Sequence, residues 1–232
     1  MRTSYHQFCA VARTLDAIGS RWTLLVVREL VLRGPLTAAA IGRGLPDVPP
    51  NQLAERLVEL EALGVVRRAL EPGRMRRYEL TEKGDRLGAV LDSLAEFGLS
   101  ELAAEPAPDE ALLPHVLMRQ LELRYGARCA DAGVVDGRFE LEIADPDALW
   151  SLEPGAAAPR RWALHAGPDG LRVRAGACLD ADARVRMTAS SCAGLVAGRR
   201  PPPEALHVTG AADKAAALLD LLAPPPAVAA AA

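Results

Sequence analysis

Five arginines, Arg67, Arg68, Arg74, Arg76 and Arg77, fall within eleven residues around Pro72 and Gly73. A guanidinium is a permanent cation whose forked N–H donors match the oxygens of a phosphate. Just upstream, Asn51, Gln52, Glu55 and Arg56 open a segment in which Leu53, Leu57, Leu60 and Leu63 recur at helical spacing. Asn and Gln side chains can pair bidentately with an adenine edge, and Arg with a guanine edge. Together these residues could bind double-stranded DNA, with Arg74, Arg76 and Arg77 on phosphates and the helix start on bases. Charge runs more often only solvate a surface, and Asn51 and Gln52 could do no more than start a helix. What favours DNA is that both features coincide with the order of elements that DNA binding needs.

That order is readable from periodicity. "CAVARTLDAIGSRWTLLVVRELVLRG" gives two amphipathic helices, carrying Val11, Leu15 and Ile18, then Trp22, Leu25, Val26, Leu30 and Val31, with Gly19 and Gly34 as stops. "PLTAAAIGRGLP" makes a short third helix. The fourth starts after "DVPP", presents its leucines to one side and its polar residues to the others, and stops at Gly64. The period then switches: "VVRRAL" and "MRRYEL" read as two strands around a Pro-Gly turn, and "TEKGDRLGAVLDSLAEFGLSEL" returns to helix as one long closing element. Three helices, a polar-faced fourth, a basic hairpin and a closing helix are the plan of a winged helix-turn-helix.

On those residues the chain resembles the HxlR-type family of bacterial winged-helix transcription regulators, over about residues 8 to 99. The resemblance is carried by "CAVARTLDAIGSRWTLLVVREL", "LAERLVELEALGVVRR" and "RRYELTEKGDRL". The sequence departs from the family pattern at Ala10, where proline is usual, at Ser20-Arg21, where Gly-Lys is usual, and at Pro49-Pro50, where a serine cap and a polar residue are common. The resemblance implies a homodimer, held by the first and last helices of this domain, on an inverted-repeat operator. It also implies that a cysteine at position 9 can sense oxidants or electrophiles. A helix N-terminus and Arg13 one turn later give Cys9 a positive setting that would raise the reactivity of its thiol; the alternative is an inert cysteine at a dimer interface.

The remainder of the chain changes character. "SELAAEPAPDEALLP" is rich in Ala, Pro and acids and reads as a linker over 101–111. "PHVLMRQLELRYG" is helical, and alternation then sets Phe139, Leu141 and Ile143, Trp162 and Leu164, Leu171 and Val173, and Ala183, Val185 and Met187 on one apolar face. The expectation is an antiparallel sheet of three or four strands, covered on that face by helices. The segment "ADARVRMTASSCAGLVAGRRPPPEALHVTGAADKAAALLDLLA" resembles the sterol carrier protein type 2 (SCP2) family, over about residues 112 to 223. That resemblance implies an apolar cavity for a lipid or another hydrophobic molecule, with Phe139, Leu141, Trp162, Leu164, Val185, Met187 and Leu195 as its walls. A filled core is the competing reading. Arg172, Arg174, Arg184 and Arg186 on the opposite face are expected to solvate it and to pair with Glu140 and Glu142.

The expected whole is α+β: a winged helix-turn-helix domain at 1–100, a linker at 101–111, an SCP2-like domain at 112–223 and a mobile tail at 224–232. Residues 1–100 hold 14 Lys and Arg against 12 Asp and Glu, and the rest 13 against 18, so the acidic net charge of −3 conceals a basic first part. The start lacks a secretory apolar run, and no apolar run nears the roughly 20 residues a membrane span needs, so a cytoplasmic location is expected. Four scattered cysteines without a CxxC pair and four scattered histidines point to no metal and no cofactor. No nucleophile elbow or phosphate-binding glycine loop suggests an enzyme. The expected function is a dimeric DNA-binding regulator modulated by a hydrophobic small molecule; the alternatives are a carrier dimerised by its helical part, or a regulator acting through Cys9.

Overall fold

Glycines and short polar caps divide the first unit, Met1–Leu94, in a computed structural model that describes residues 4–69, 76–102, 106–107, 109–132, 135–144 and 161–223. Helix α1 (Ala10–Ile18) ends where the Gly19 amide donates to the Leu15 carbonyl. Helix α2 (Thr23–Arg33) ends at Gly34, whose φ of 75° is left-handed. The Thr37 hydroxyl accepts from the Ala40 amide and starts α3 (Ala38–Arg43). In α4 (Pro50–Ala62) proline takes the first helical position, where its missing N–H has no intrahelical partner to lose. Gly64, at φ 66°, closes α4: its amide donates to Glu61 and the Val65 amide to Leu60, the paired bonds of a left-handed helix stop.

Strands β1 (Val66–Ala69) and β2 (Arg77–Leu80) pair antiparallel, with Val66 opposite Leu80 and Ala69 opposite Arg77. A third segment joins them: Leu36 exchanges both backbone bonds with Tyr78, at 2.9 and 2.7 Å. The turn expected at Pro72-Gly73 lies outside the described residues. The long closing helix of the sequence reading is broken. The Thr81 hydroxyl caps a single turn, α5 (Glu82–Asp85), Arg86 interrupts it, and α6 (Leu87–Phe97) follows, ending in a π-helical turn over Gly98–Leu102.

Val26, Val27, Leu30, Ile41, Leu45, Leu57 and Leu60 form the buried core of this unit. One charge is buried with them. Glu29 has no exposed surface; it accepts from Arg28 Nη2 at 2.8 Å and from Arg33 Nη1 at 2.8 Å. Those same guanidinium nitrogens donate to the carbonyls of Gly44 and Ala40, at 3.1 and 3.2 Å. These carbonyls lie at the C-terminal end of α3, where helix acceptors lack intrahelical donors. A Cβ on Gly44 would stand 1.9 Å from the Glu29 carboxylate, so close approach requires glycine there.

The second unit, Ala95–Ala232, contains α7 (Pro114–Ala132), β3 (Gly137–Ile143), β4 (Arg161–Gly167), β5 (Gly170–Ala175), β6 (Ala183–Met187), α8 (Ala189–Val196), β7 (His207–Gly210) and α9 (Ala212–Leu222). Its sheet has five strands in the order β5-β4-β3-β6-β7. The expectation of an antiparallel sheet of three or four strands is corrected here: β3 and β6 run parallel, with Leu141 opposite Val185. The reason is the connection after β5. Chain 176–182 crosses back to the far side of β3, and Cys178 within it donates its amide to Glu140 at 2.8 Å. Glu140 is thereby buried on the face that alternation alone would leave exposed. Helices α7, α8 and α9 pack with the other face into one core that includes Tyr125, Phe139, Leu164 and Leu219. The 101–111 linker is described only in part, and the tail 224–232 lies outside the described residues.

Removing one partner of a buried ion network typically costs about 3–5 kcal/mol. Glu29→Ala is therefore expected to lower the unfolding free energy of the first unit by about that amount, seen as a lower urea midpoint in tryptophan fluorescence and circular dichroism. An unchanged midpoint would show that the carboxylate does not hold α3 to α2.

Candidate nucleic-acid interface

The buried row Leu53, Leu57 and Leu60 fixes which side of α4 faces outward. Asn51, Gln52 and Glu55 are exposed on that outward side. Arg56 differs: its side chain is 12% exposed and lies between two carboxylates, Glu55 at 2.9 Å and Glu59 at 3.1 Å. It can meet a base only by leaving them. Val58, two turns after Asn51, is 57% exposed on the same outward side. The sequence reading passed over it, although an apolar residue two helical turns from Asn51 is visible from spacing alone. Its methyl groups are suited to the C5-methyl of thymine.

The hairpin is bound to the end of α4. Arg68 reaches Glu61 of that helix at 2.7 Å. The Thr81 hydroxyl donates to the Gly64 carbonyl at 2.6 Å, and the Lys83 ammonium to the Leu63 carbonyl at 2.7 Å. The five arginines therefore divide. Arg67 pairs with Glu79 across the two strands at 2.6 Å, and Arg68 with Glu61. Arg76 is exposed. Arg77 is half-buried and donates to the Pro35 carbonyl at 3.4 Å. Arg74 lies outside the described residues. At the root of the wing Arg67 and Arg68 are exposed but each holds a glutamate, and Arg76, next to the turn, is exposed as well.

Cys9 is the N-cap residue of α1 and is exposed, whereas Cys129, Cys178 and Cys192 are buried. Burial pushes all three buried thiols up, that of Cys192 to about 12, so they are protonated at neutral pH and poor nucleophiles. Arg13 directs its guanidinium over the Phe8 ring, 4.6 Å from its centre.

In the second unit Phe139, Leu141, Trp162, Leu164, Val185, Met187 and Leu195 share one buried cluster between sheet and helices. The Tyr125 hydroxyl enters it and donates to the Leu195 carbonyl at 2.8 Å. On the opposite face Arg184 approaches Glu140 and Arg186 approaches Glu142, each at 3.6 Å. Among the described residues, no three His, Cys, Asp or Glu side chains are grouped to hold a metal, and no helix is long and apolar enough to cross a membrane.

The pattern of HxlR-like helix-turn-helix proteins matches residues 17–106. An uncharacterised HTH-type transcriptional regulator of Methanothermobacter thermautotrophicus (strain Delta H) is 36% identical over 92 residues, 39% of this chain and 70% of that protein. The uncharacterised HTH-type transcriptional regulator YvaP of Bacillus subtilis (strain 168) is 36% identical over 87 residues, 37% of this chain and 80% of that protein. Among solved structures, the HTH-type transcriptional regulator YtcD is 32% identical and superposes on 39% of this chain and 94% of its own, with a TM-score of 0.36. With its polar-faced α4 and the hairpin bound to that helix, this chain belongs to the HxlR-like helix-turn-helix family.

Proposed function

We propose that the protein is a transcription regulator that binds an inverted-repeat operator as a homodimer, with α4 in the major groove and the β1–β2 wing along the backbone. The observation that carries this reading is the outward face of α4. Asn51, Gln52 and Glu55 are exposed beside Val58, and the opposite face is buried in the core that also anchors the wing. Arg74, Arg76 and Arg77 serve the phosphates, and each neutralised phosphate contributes a slope of about −0.9 in log K against log salt. Dimerisation through the first and last helices of the unit is supported by apolar rows left open to water. Val11 and Leu15 on α1 are 67% and 45% exposed, and Val90 and Leu94 on α6 are 44% and 50% exposed. Apolar surface of this kind gains free energy by being covered.

The second unit is proposed to be SCP2-like and to hold a hydrophobic effector among the seven core residues named above. Its helix-covered sheet supports that reading. A preference of 1–3 kcal/mol for one dimer geometry would change operator occupancy by about 5- to 150-fold. A second reading, in which Cys9 senses oxidants, is favoured by its exposure when the other three thiols are buried.

Three measurements check these proposals. Gel shifts with DNA from the protein's own genomic neighbourhood should show binding at low salt. Arg74→Ala and Arg76→Ala should each flatten the salt slope by about 1, whereas Asn51→Ala should weaken binding to the preferred site by about 1–3 kcal/mol; no binding at low salt removes the regulator reading. Sedimentation should show a dimer for the parent chain and a monomer for the double variant Val11→Glu, Leu15→Glu. If Cys9 is a sensor, a thiol oxidant should release the parent chain from DNA and leave Cys9→Ser bound; equal responses remove that role.

A further inference from the structure

The first unit contains a groove of about 440 Å³ that the DNA-binding reading does not use. Ile18 of α1, Leu63 at the end of α4, Val65 at the start of the wing and Leu87 of α6 form its apolar floor. Arg13, Lys83 and Arg86 stand around it, and the described lining holds no carboxylate. An apolar floor under three cations is complementary to an apolar body carrying a negative charge. We infer that this groove binds an apolar molecule with one anionic group, of the size and chemistry of an aryl carboxylate.

The volume suits it, because pockets for small ligands run from about 300 to 1,000 Å³ and are mainly apolar with a few polar groups that fix orientation. The cations retain capacity. Lys83 donates to the Leu63 carbonyl at 2.7 Å, and an ammonium has three protons. The Arg13 guanidinium lies over the Phe8 ring, 4.6 Å from its centre, and that contact consumes none of its five N–H donors. A second copy of the chain seated on the exposed row Val11 and Leu15 would border the groove at Ile18, which adjoins that row and is itself buried. Arg13 and Ala17 line the groove from a side of α1 roughly 140–180° round the helix from the row, so that copy would not cover their end of it. The position gives binding a consequence, and that consequence rests on the DNA-binding reading. The floor joins α1, the last residues of α4, the root of the wing and α6, so an occupant bears on the two elements proposed to touch DNA and on the two proposed to form the dimer.

The chain has only three isoleucines, and they are placed as reporters: Ile18 in the groove, Ile41 in the core of the first unit and Ile143 in the core of the second. The full-length protein, labelled at isoleucine δ1 methyl groups, is titrated with 2-naphthoate and separately with the neutral 2-naphthalenemethanol. Ile18→Val and Ile143→Val assign the signals. The expected result is a saturable shift of the Ile18 methyl with little change at Ile143. The carboxylate should bind at least about threefold tighter than the alcohol, an advantage that Arg86→Ala removes. Ala17→Trp, which fills the groove, should abolish the Ile18 shift; the Ile41 and Ile143 signals verify that the variant is folded. A shift at Ile143 alone, no shift at all, or equal affinity for acid and alcohol would each overturn the inference. Gel shifts with and without 2-naphthoate then separate the two levels. Loss of DNA binding in all conditions counts against the regulator reading and leaves the groove standing, whereas DNA binding with no Ile18 shift counts against the groove alone.

Discussion

The first unit depends on a charge placed where water cannot reach it. Glu29 is fully buried, and each of its carboxylate oxygens meets a guanidinium that also holds a carbonyl at the end of α3. An isolated carboxylate in that place would be very costly, and the network is acceptable only because both oxygens are satisfied. Hydrophobic packing alone would let α3 slide on α2, since apolar contact has no direction. The ionic contacts are directional, so they fix where α3 ends, and with it where the short connection delivers α4.

The second unit uses a buried acid in a different way. Glu140 lies on the sheet face away from the helices and is covered by chain 176–182, whose Cys178 amide donates to it. Arg184 of β6 and Arg161 of β4 approach the same carboxylate, at 3.6 and 3.9 Å. The contact therefore joins three adjacent strands to the connection that makes β3 and β6 parallel. Among the described residues Glu29 and Glu140 are the two buried carboxylates, and in both cases the acid holds a part of the chain that main-chain ladders do not.

Charge in the helix-turn-helix unit is sorted by position. At the root of the wing, Arg67 and Arg68 are neutralised by Glu79 and Glu61, which stiffens the hairpin against α4. Toward the tip, Arg76 is exposed. On α4 the same sorting separates Arg56, held by two glutamates, from Asn51 and Gln52, which are open. An arginine count in the sequence therefore overstates the cationic surface offered to a partner, because acids three or twelve positions away engage some of the same side chains.

Periodicity and punctuation determined a great deal by themselves. Gly19, Gly34 and Gly64 end helices, Leu53, Leu57 and Leu60 face inward, and β4 and β6 bury Trp162, Leu164 and Ala166 and Ala183, Val185 and Met187 in alternation. These features are local: they follow from 3.6- and 2-residue repeats and, at Gly34 and Gly64, from the freedom of glycine at positive φ. What remained invisible depends on contacts between residues far apart in the chain. No local pattern distinguishes Glu29, buried between two arginines, from a solvated glutamate of an amphipathic helix, or joins Leu36 to Tyr78. The same limit hid the parallel pairing of β3 with β6, since alternation reports which face a strand buries and not the direction of its neighbour. It also hid the groove beneath Arg13, Lys83 and Arg86, whose lining residues come from separate elements that only tertiary packing brings together.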